Sequence, residues 1–285
     1  MNIPKLILMN ASMGYGRTSL GGAQSILAGL GVQTAIVPTA MVSAPTGGAF
    51  GEVYRRETMD ILEGSLSHFS RIGLQFDAVA TGSIASAAAV ERIREYLSGL
   101  SCVKLVDPVF GDYGKLYGGF DGVHVKALTR LCAEANVITP NLTESAFLLG
   151  RELPRVMTVA EARDWLRRLQ DMGAACPVVT SVELCDFPGC VTTLALEGEQ
   201  LYAIPAPRLD RSFFGTGDAL AAYLAGRLAK GESFARSVLL AADFVRAALE
   251  AAARRGGLPQ EGMPLESFVP LLSGEWKPEL RLYSL

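Results

Sequence analysis

Short apolar runs alternate along the chain with longer stretches in which apolar residues recur at helical spacing. "KLILMN", "VQTAIVPT", "FDAVAT", "CVKLVDP", "ANVITP" and "CPVVTS" read as strands, each bounded by polar or turn residues. "SLGGAQSILAGL", "ETMDILEGSLSHFSRI", "SAAAVERIREYLSGL", "TVAEARDWLRRLQDM", "DALAAYLAGRLAKG" and "SFARSVLLAADFVRAALEAAARR" read as helices. Strand alternating with helix calls for an α/β fold with a mostly parallel sheet covered by helices on both faces. "CVTTLALEGEQLYAIPA" breaks the rhythm as a hairpin around Glu197 to Glu199, adding an antiparallel edge. The segment from Gly111 to Gly122 carries neither period and several glycines, so it reads as a mobile surface flap. No linker or internal repeat interrupts the pattern, which predicts one domain over 1–285 with a polar tail from about 256.

In an open parallel sheet ligands collect at the carboxyl ends of the strands. The polar clusters fall there: "NASMGYG", "PTAMVSAPTGG", "TGS", "DPVFGD", "TPNLTE" and "TS" follow successive strands, and "GTGD" precedes a late helix.

Composition narrows the chemistry. A net charge of −3 without a long Lys/Arg run argues against nucleic acid and for a small molecule. The first apolar run breaks at Asn10, too early for a signal sequence or membrane span, which predicts a cytoplasmic protein. Five cysteines and two histidines form no zinc pattern. "GYGRTSLGG" lacks the dinucleotide spacing, no P-loop motif occurs, and no G-x-S-x-G supports a serine hydrolase.

"GTGD" poses the central question. Asp218 in a first helical turn offsets the helix dipole. Gly215 and Gly217, flanking Thr216, also leave three backbone N–H groups little covered at a helix N-terminus, a ready anion site. A carboxylate beside such a site suits phosphoryl transfer: the amides take developing charge while Asp218 accepts a proton from an attacking alcohol. Asp107, Asp112, Asn141 and Glu144 stand at two strand ends. Each is compatible with a turn or helix cap, or together they hold Mg²⁺ through water against nucleotide phosphates.

"DPVFGDYGKLY", "VITPNLTESAFLLG" and "FFGTGDALAAYLAGRL", in this order, resemble the vitamin B6 (pyridoxal, pyridoxine, pyridoxamine) kinases of the ribokinase superfamily, especially a bacterial branch. The likeness runs to about Ala253. It implies a ribokinase-like three-layer α/β/α sandwich, use of ATP and Mg²⁺ with K⁺ as a further ion, a homodimer, and transfer of the γ-phosphate to a hydroxymethyl group. Asp218 would be the base and Gly215, Thr216 and Gly217 the anion hole. Asp107, Asp112, Thr139, Asn141 and Glu144 would arrange metal and phosphates, with Asp107 and Glu144 as metal residues, Thr180 and Ser181 near the nucleotide, and the flap closing over it.

The substrate end departs from the family pattern. Ala11 stands where relatives carry Ser or Asp, Ser12 follows it, "SAPTG" keeps Thr46 without the family's Asn and His, and Ser83 replaces a ring-lining aromatic. With Val42, these are the candidate substrate residues. The expected acceptor is a B6 vitamer or a related heterocycle; hydroxymethylpyrimidine kinase and a non-catalytic ligand-binding homologue are the rivals.

Overall fold

In the computed structural model, which describes residues 3–46, 50–274 and 276–285, the strands are β1 (Lys5–Met13), β2 (Gln33–Val42), β3 (Arg55–Glu57), β4 (Ala78–Thr81), β5 (Val103–Val106), β6 (Gly111–Asp112), β7 (Lys115–Leu116), β8 (Val137–Ile138), β9 (Cys176–Val182), β10 (Cys190–Glu197), β11 (Gln200–Pro207) and β12 (Tyr283–Ser284). Ten of them form one sheet in the order β12-β11-β10-β9-β8-β5-β4-β1-β2-β3, while β6 and β7 make a separate hairpin. The centre, β9 to β2, is parallel. Both margins are antiparallel: β10, β11 and β12 on one side, β3 on the other. The hairpin predicted around Glu197 to Glu199 is present, with Glu197 paired to Gln200.

The helices are α1 (Ser19–Gly29), α2 (Met59–Arg71), α3 (Ala87–Ser98), α4 (Gly122–Ala133), α5 (Leu142–Leu149), α6 (Val159–Asp171), α7 (Thr216–Ala229) and α8 (Phe234–Arg255). Strand periodicity explains how they cover both faces. Along β1, Leu6 and Leu8 join the core built by α1, α7 and α8, whereas Ile7 and Met9 join the core built by α2 to α6. A strand buried on both faces must be apolar at successive positions, which is why "KLILM" shows no alternation. α7 is buried from Ala219 to Gly226. A Cβ at Gly226 would lie 2.7 Å from Leu30 Cδ1, so the absence of a side chain there lets α7 pack closely against α1.

The flap expectation needs correction. Gly111–Asp112 and Lys115–Leu116 pair as a hairpin, and Asp121 is the N-cap of α4, its side chain accepting from His124 N at 2.9 Å. Tyr113 (φ 50) and Gly114 (φ 76) form the turn, with the two positive φ angles that a tight hairpin favours. Tyr-Gly in place of the usual Asn-Gly hid this turn from the pattern. β1 and β2 also run beyond their predicted ends, to Met13 and Val42; the last residues of the polar cluster after β2, 47–49, lie outside the described residues.

The tail after Gly256 is structural. Short 3-10 turns at Pro259–Glu261, Leu265–Ser267 and Val269–Ser273 bring Met263, Leu265 and Leu272 into the core on the α1 side. Asp243, fully buried on α8, accepts from Trp276 Nε1 (2.9 Å), Glu279 N (3.1 Å) and Leu280 N (2.9 Å), and pairs with Arg246. A buried carboxylate left without such donors would cost several kcal/mol, so these four contacts clasp the tail.

Candidate active site

The chain leaves β1 first towards β2 and then, after β3, crosses to β4 on the other side of β1. The crevice at this reversal lies beyond the carboxyl ends of β1 and β4 and is where an open sheet binds ligands. Asn10 sits there. Its Oδ1 accepts from Ala11 N (2.8 Å) and Ser83 N (2.9 Å), and its Nδ2 donates to Asp218 Oδ1 at 3.0 Å. Room for this side chain comes from Gly82, where a Cβ would lie 2.2 Å from Asn10 Nδ2.

Asp218 Oδ2 accepts from Ser19 N at 2.8 Å, the first residue of α1. The carboxylate is therefore fixed by β1 and α1 rather than by amides of its own helix, whose N-cap is Gly215. Capping α7 does not account for it. Gly215 has φ 78, and a Cβ there would approach Arg17 O and Thr18 Cγ2 to 3.0 Å, so glycine is required twice over. Burial raises the pKa of Asp218, and the bonds from Asn10 and Ser19 pull against that rise.

Three further carboxyl groups share the cleft. Asp107 is buried, and its pKa is pushed well above the ordinary value by desolvation, then by the charges of Glu144 and Asp218. Glu144, also buried, forms a capping box with Asn141: its N–H bonds Asn141 Oδ1 (2.9 Å) while its Oε2 accepts from Asn141 N (2.9 Å). Its Oε1 accepts from Phe110 N (3.0 Å) and Gly111 N (3.4 Å), tying the α5 start to the flap base. Desolvation raises it to about 7 against these donors. Asp112 is likewise raised, mainly by burial.

Two adjoining cavities meet at this point. One, of about 430 Å³, is lined by Asp218, Gly215, Asp107, Thr139, Asn141 and Glu144, and at its other side by Ala11, Val42, Thr46 and Ser83. The second, of about 550 Å³, lies between β10, β11 and α8 and is walled by Val191, Ile204, Leu220, Val245 and Leu249 with Arg208 and Arg211. Asp112, Thr180, Ser181, Thr216 and Gly217 line both. The glycine-flanked amides thus stand at the junction, with Asp218 facing the smaller chamber alone.

Ser12 is the exception among the sequence candidates. Because β1 continues to Met13, its side chains alternate: Ala11 and Met13 line the smaller chamber and Ser12 does not. Nor does the pocket lack aromatic walls, because Tyr117 and Phe120 of the flap line it. Asn10, Ser19, Gly82 and Arg55 were missed. Asn10 lies inside a strand and Arg55 in a three-residue one, so neither carries a local signal; the "TG" pair at Thr81 and Gly82 was visible, but its steric purpose was not.

A profile of the phosphomethylpyrimidine kinase family matches residues 27–262. The chain belongs to that family. Among this family's relatives, the pyridoxine/pyridoxal/pyridoxamine kinase of Bordetella avium is 30% identical over 259 residues, covering 86% of this chain and 84% of that one. The thiamine biosynthetic bifunctional enzyme TH1 of Arabidopsis thaliana is 31% identical over 251 residues, 87% of this chain. The chain spans about half, 47%, of that enzyme's length. A structure from Bacteroides thetaiotaomicron, described as a phosphomethylpyrimidine kinase and solved with pyridoxal, superposes with a TM-score of 0.91 at 27% identity, covering 99% of this chain and 100% of that one. The fold is ribokinase-like.

Proposed function

We propose that this family member is an ATP-dependent kinase that phosphorylates the hydroxymethyl group of a B6 vitamer or a closely related heteroaromatic alcohol. The observation that carries this reading is the junction: Thr216 and Gly217 line both chambers, while Asp218 lines only the smaller one. Such a wall suits a reaction in which a group crosses from one bound molecule to another. The larger, apolar chamber with Arg208 and Arg211 suits a nucleotide. The smaller one, with Tyr117 and Phe120 on the flap side, suits a flat ring.

In the proposed step the acceptor oxygen attacks the γ-phosphorus, its proton passes to Asp218, and the bond to the ADP oxygen breaks. The amides of Gly215, Thr216 and Gly217 carry charge growing on the transferred group. Because that transition state is loose, a carboxylate suffices as base, and burial brings the pKa of Asp218 closer to neutrality, where a base works best.

A divalent cation fits the donor set: beyond burial, the charge of Glu144 raises the pKa of Asp107 and the charge of Asp112 raises that of Glu144, and a cation would relieve the same repulsion. No group of three or more His, Cys, Asp or Glu ligands occurs among the described residues, so Mg²⁺ would be held by Asp107 and largely by water. The ion would neutralise phosphate charge. Glu144, its oxygens already taken by three backbone N–H groups, would act by fixing the Asn141 turn.

The family's name favours a pyrimidine alcohol, hydroxymethylpyrimidine, as a second acceptor. The test is ATP consumption with Mg²⁺ and K⁺ in the presence of pyridoxal, pyridoxine, pyridoxamine or hydroxymethylpyrimidine. Turnover on a B6 vitamer supports the first reading, turnover on the pyrimidine alone supports the second, and no turnover on any overturns both.

A further inference from the structure

Arg55 is the one positively charged side chain among the described residues lining the smaller chamber, whose opposite side holds Asp107, Asp112, Glu144 and Asp218. It begins the edge strand β3 and lies opposite Val42, itself a lining residue. The guanidinium takes part in none of the ion pairs found among the described residues. Its hydrogen bond is a long one, Nη2 to Ala85 O at 3.3 Å, just past the end of β4. Glu57, two residues along the same strand, is engaged by the Ser86 hydroxyl. On the flap side Gly119, with φ 89, leaves space: a Cβ there would stand 3.6 Å from Arg55 Nη1. The exposed fork thus lies between the β4 end and the flap, with most of its donors open to solvent.

Arg55 is exposed, so a neutral ring closing beside it would displace part of its hydration and offer only a weak stacking contact in return. An anionic substituent would take the free donors in a charge-assisted, forked pair. We infer that the acceptor carries a carboxylate on its ring beside the hydroxymethyl group, and that Arg55 selects it. This rests on the kinase reading above, since it names the acceptor of the same site. The transfer itself is unchanged: the hydroxymethyl oxygen attacks, and the carboxylate takes no part in bond making.

The probe is a matched pair, pyridoxine and 4-pyridoxic acid, which differ at the ring position next to the reacting CH₂OH. Steady-state kcat/KM for both is measured with the wild type, Arg55→Met and Arg55→Lys. The expected result is a wild-type preference for the acid that falls about 10- to 100-fold in Arg55→Met, the range for a hydrogen-bonded charge pair, and only partly in Arg55→Lys. Using the ratio of two substrates on one preparation makes the outcome independent of how much of a variant folds. Turnover of pyridoxine with no preference for the acid, or an equal loss on both substrates in Arg55→Met, overturns the inference and leaves the kinase reading standing. No turnover of either compound overturns both.

Discussion

Asn10 Nδ2 donates to Asp218 Oδ1 at 3.0 Å across 208 positions of sequence, joining the C-terminal half of β1 to the first turn of α7. The bond orients the proposed base and favours its charged form. Asn10→Ala is expected to lower kcat about 100-fold and to move the acidic limb of the kcat–pH profile upward, because a bond that lowers the Asp218 pKa is lost. Asp218→Asn should abolish turnover while ATP still binds, read by calorimetric titration. An unmoved acidic limb in Asn10→Ala would return Asn10 to a purely structural part.

Gly82 offers a steric version of the same test. A Cβ at this position meets Asn10 Nδ2 at 2.2 Å, whereas one at Gly64, inside α2, meets nothing within 4 Å. Gly82→Ala should displace Asn10 and reduce kcat as much as Asn10→Ala does. Gly64→Ala should keep full activity and add about 0.5–1 kcal/mol of stability, as expected for replacing a helical glycine.

Buried carboxyls set the pH dependence of stability. Glu144, raised from 4.5 to about 7, binds its proton more tightly in the folded than in the unfolded chain, and Asp107 shifts in the same direction. The contribution of Glu144 is complete below about pH 4 and is lost as pH rises through 7, and that of Asp107 is lost in the same direction. Without ligands, the melting temperature should fall between pH 5 and pH 8 by about 2–4 °C per kcal/mol lost. Glu144→Gln should flatten that slope. Thermal melts at four pH values decide it, and a melting point that rises over this range would refute the assignment.

The tail clasp should matter for stability alone. Trp276→Phe keeps a ring near Phe244, 5.8 Å away in the native protein, but removes the Nε1–H donor to fully buried Asp243. Urea unfolding should show a loss of about 1–2 kcal/mol, with kcat unchanged. A fall in kcat would instead connect this clasp to the larger chamber, which Arg246 also lines.

The sequence made the sheet centre readable because strands buried on both faces are unbroken apolar runs, as in "KLILM" and "CPVV". β3, β6, β7 and β12 escaped because two or three residues carry no period. α4 and α5 were passed over as well, although Asp121 and Asn141 mark their starts by their caps. At the site, "GTGD" drew attention because its glycines leave backbone amides open beside an acid at a helix start, and the structure places it in the cleft. Asn10 and Ser19 were not, since what they do depends on a residue some two hundred positions away. Ser12 failed for a local reason: the strand ran one alternation further than its apolar run.

The two margins of the sheet have a bearing on how the protein behaves in bulk. Two-residue β12 hydrogen-bonds to only part of β11, and three-residue β3, with Arg55, Arg56 and Glu57 all exposed, ends the other side in charge. Long flat margins with open N–H and C=O groups template the stacking of one chain on another. Here a scrap of backbone shields one such margin and ionic side chains guard the other, so concentrated solutions should remain clear until the Tyr283–Ser284 pairing is released.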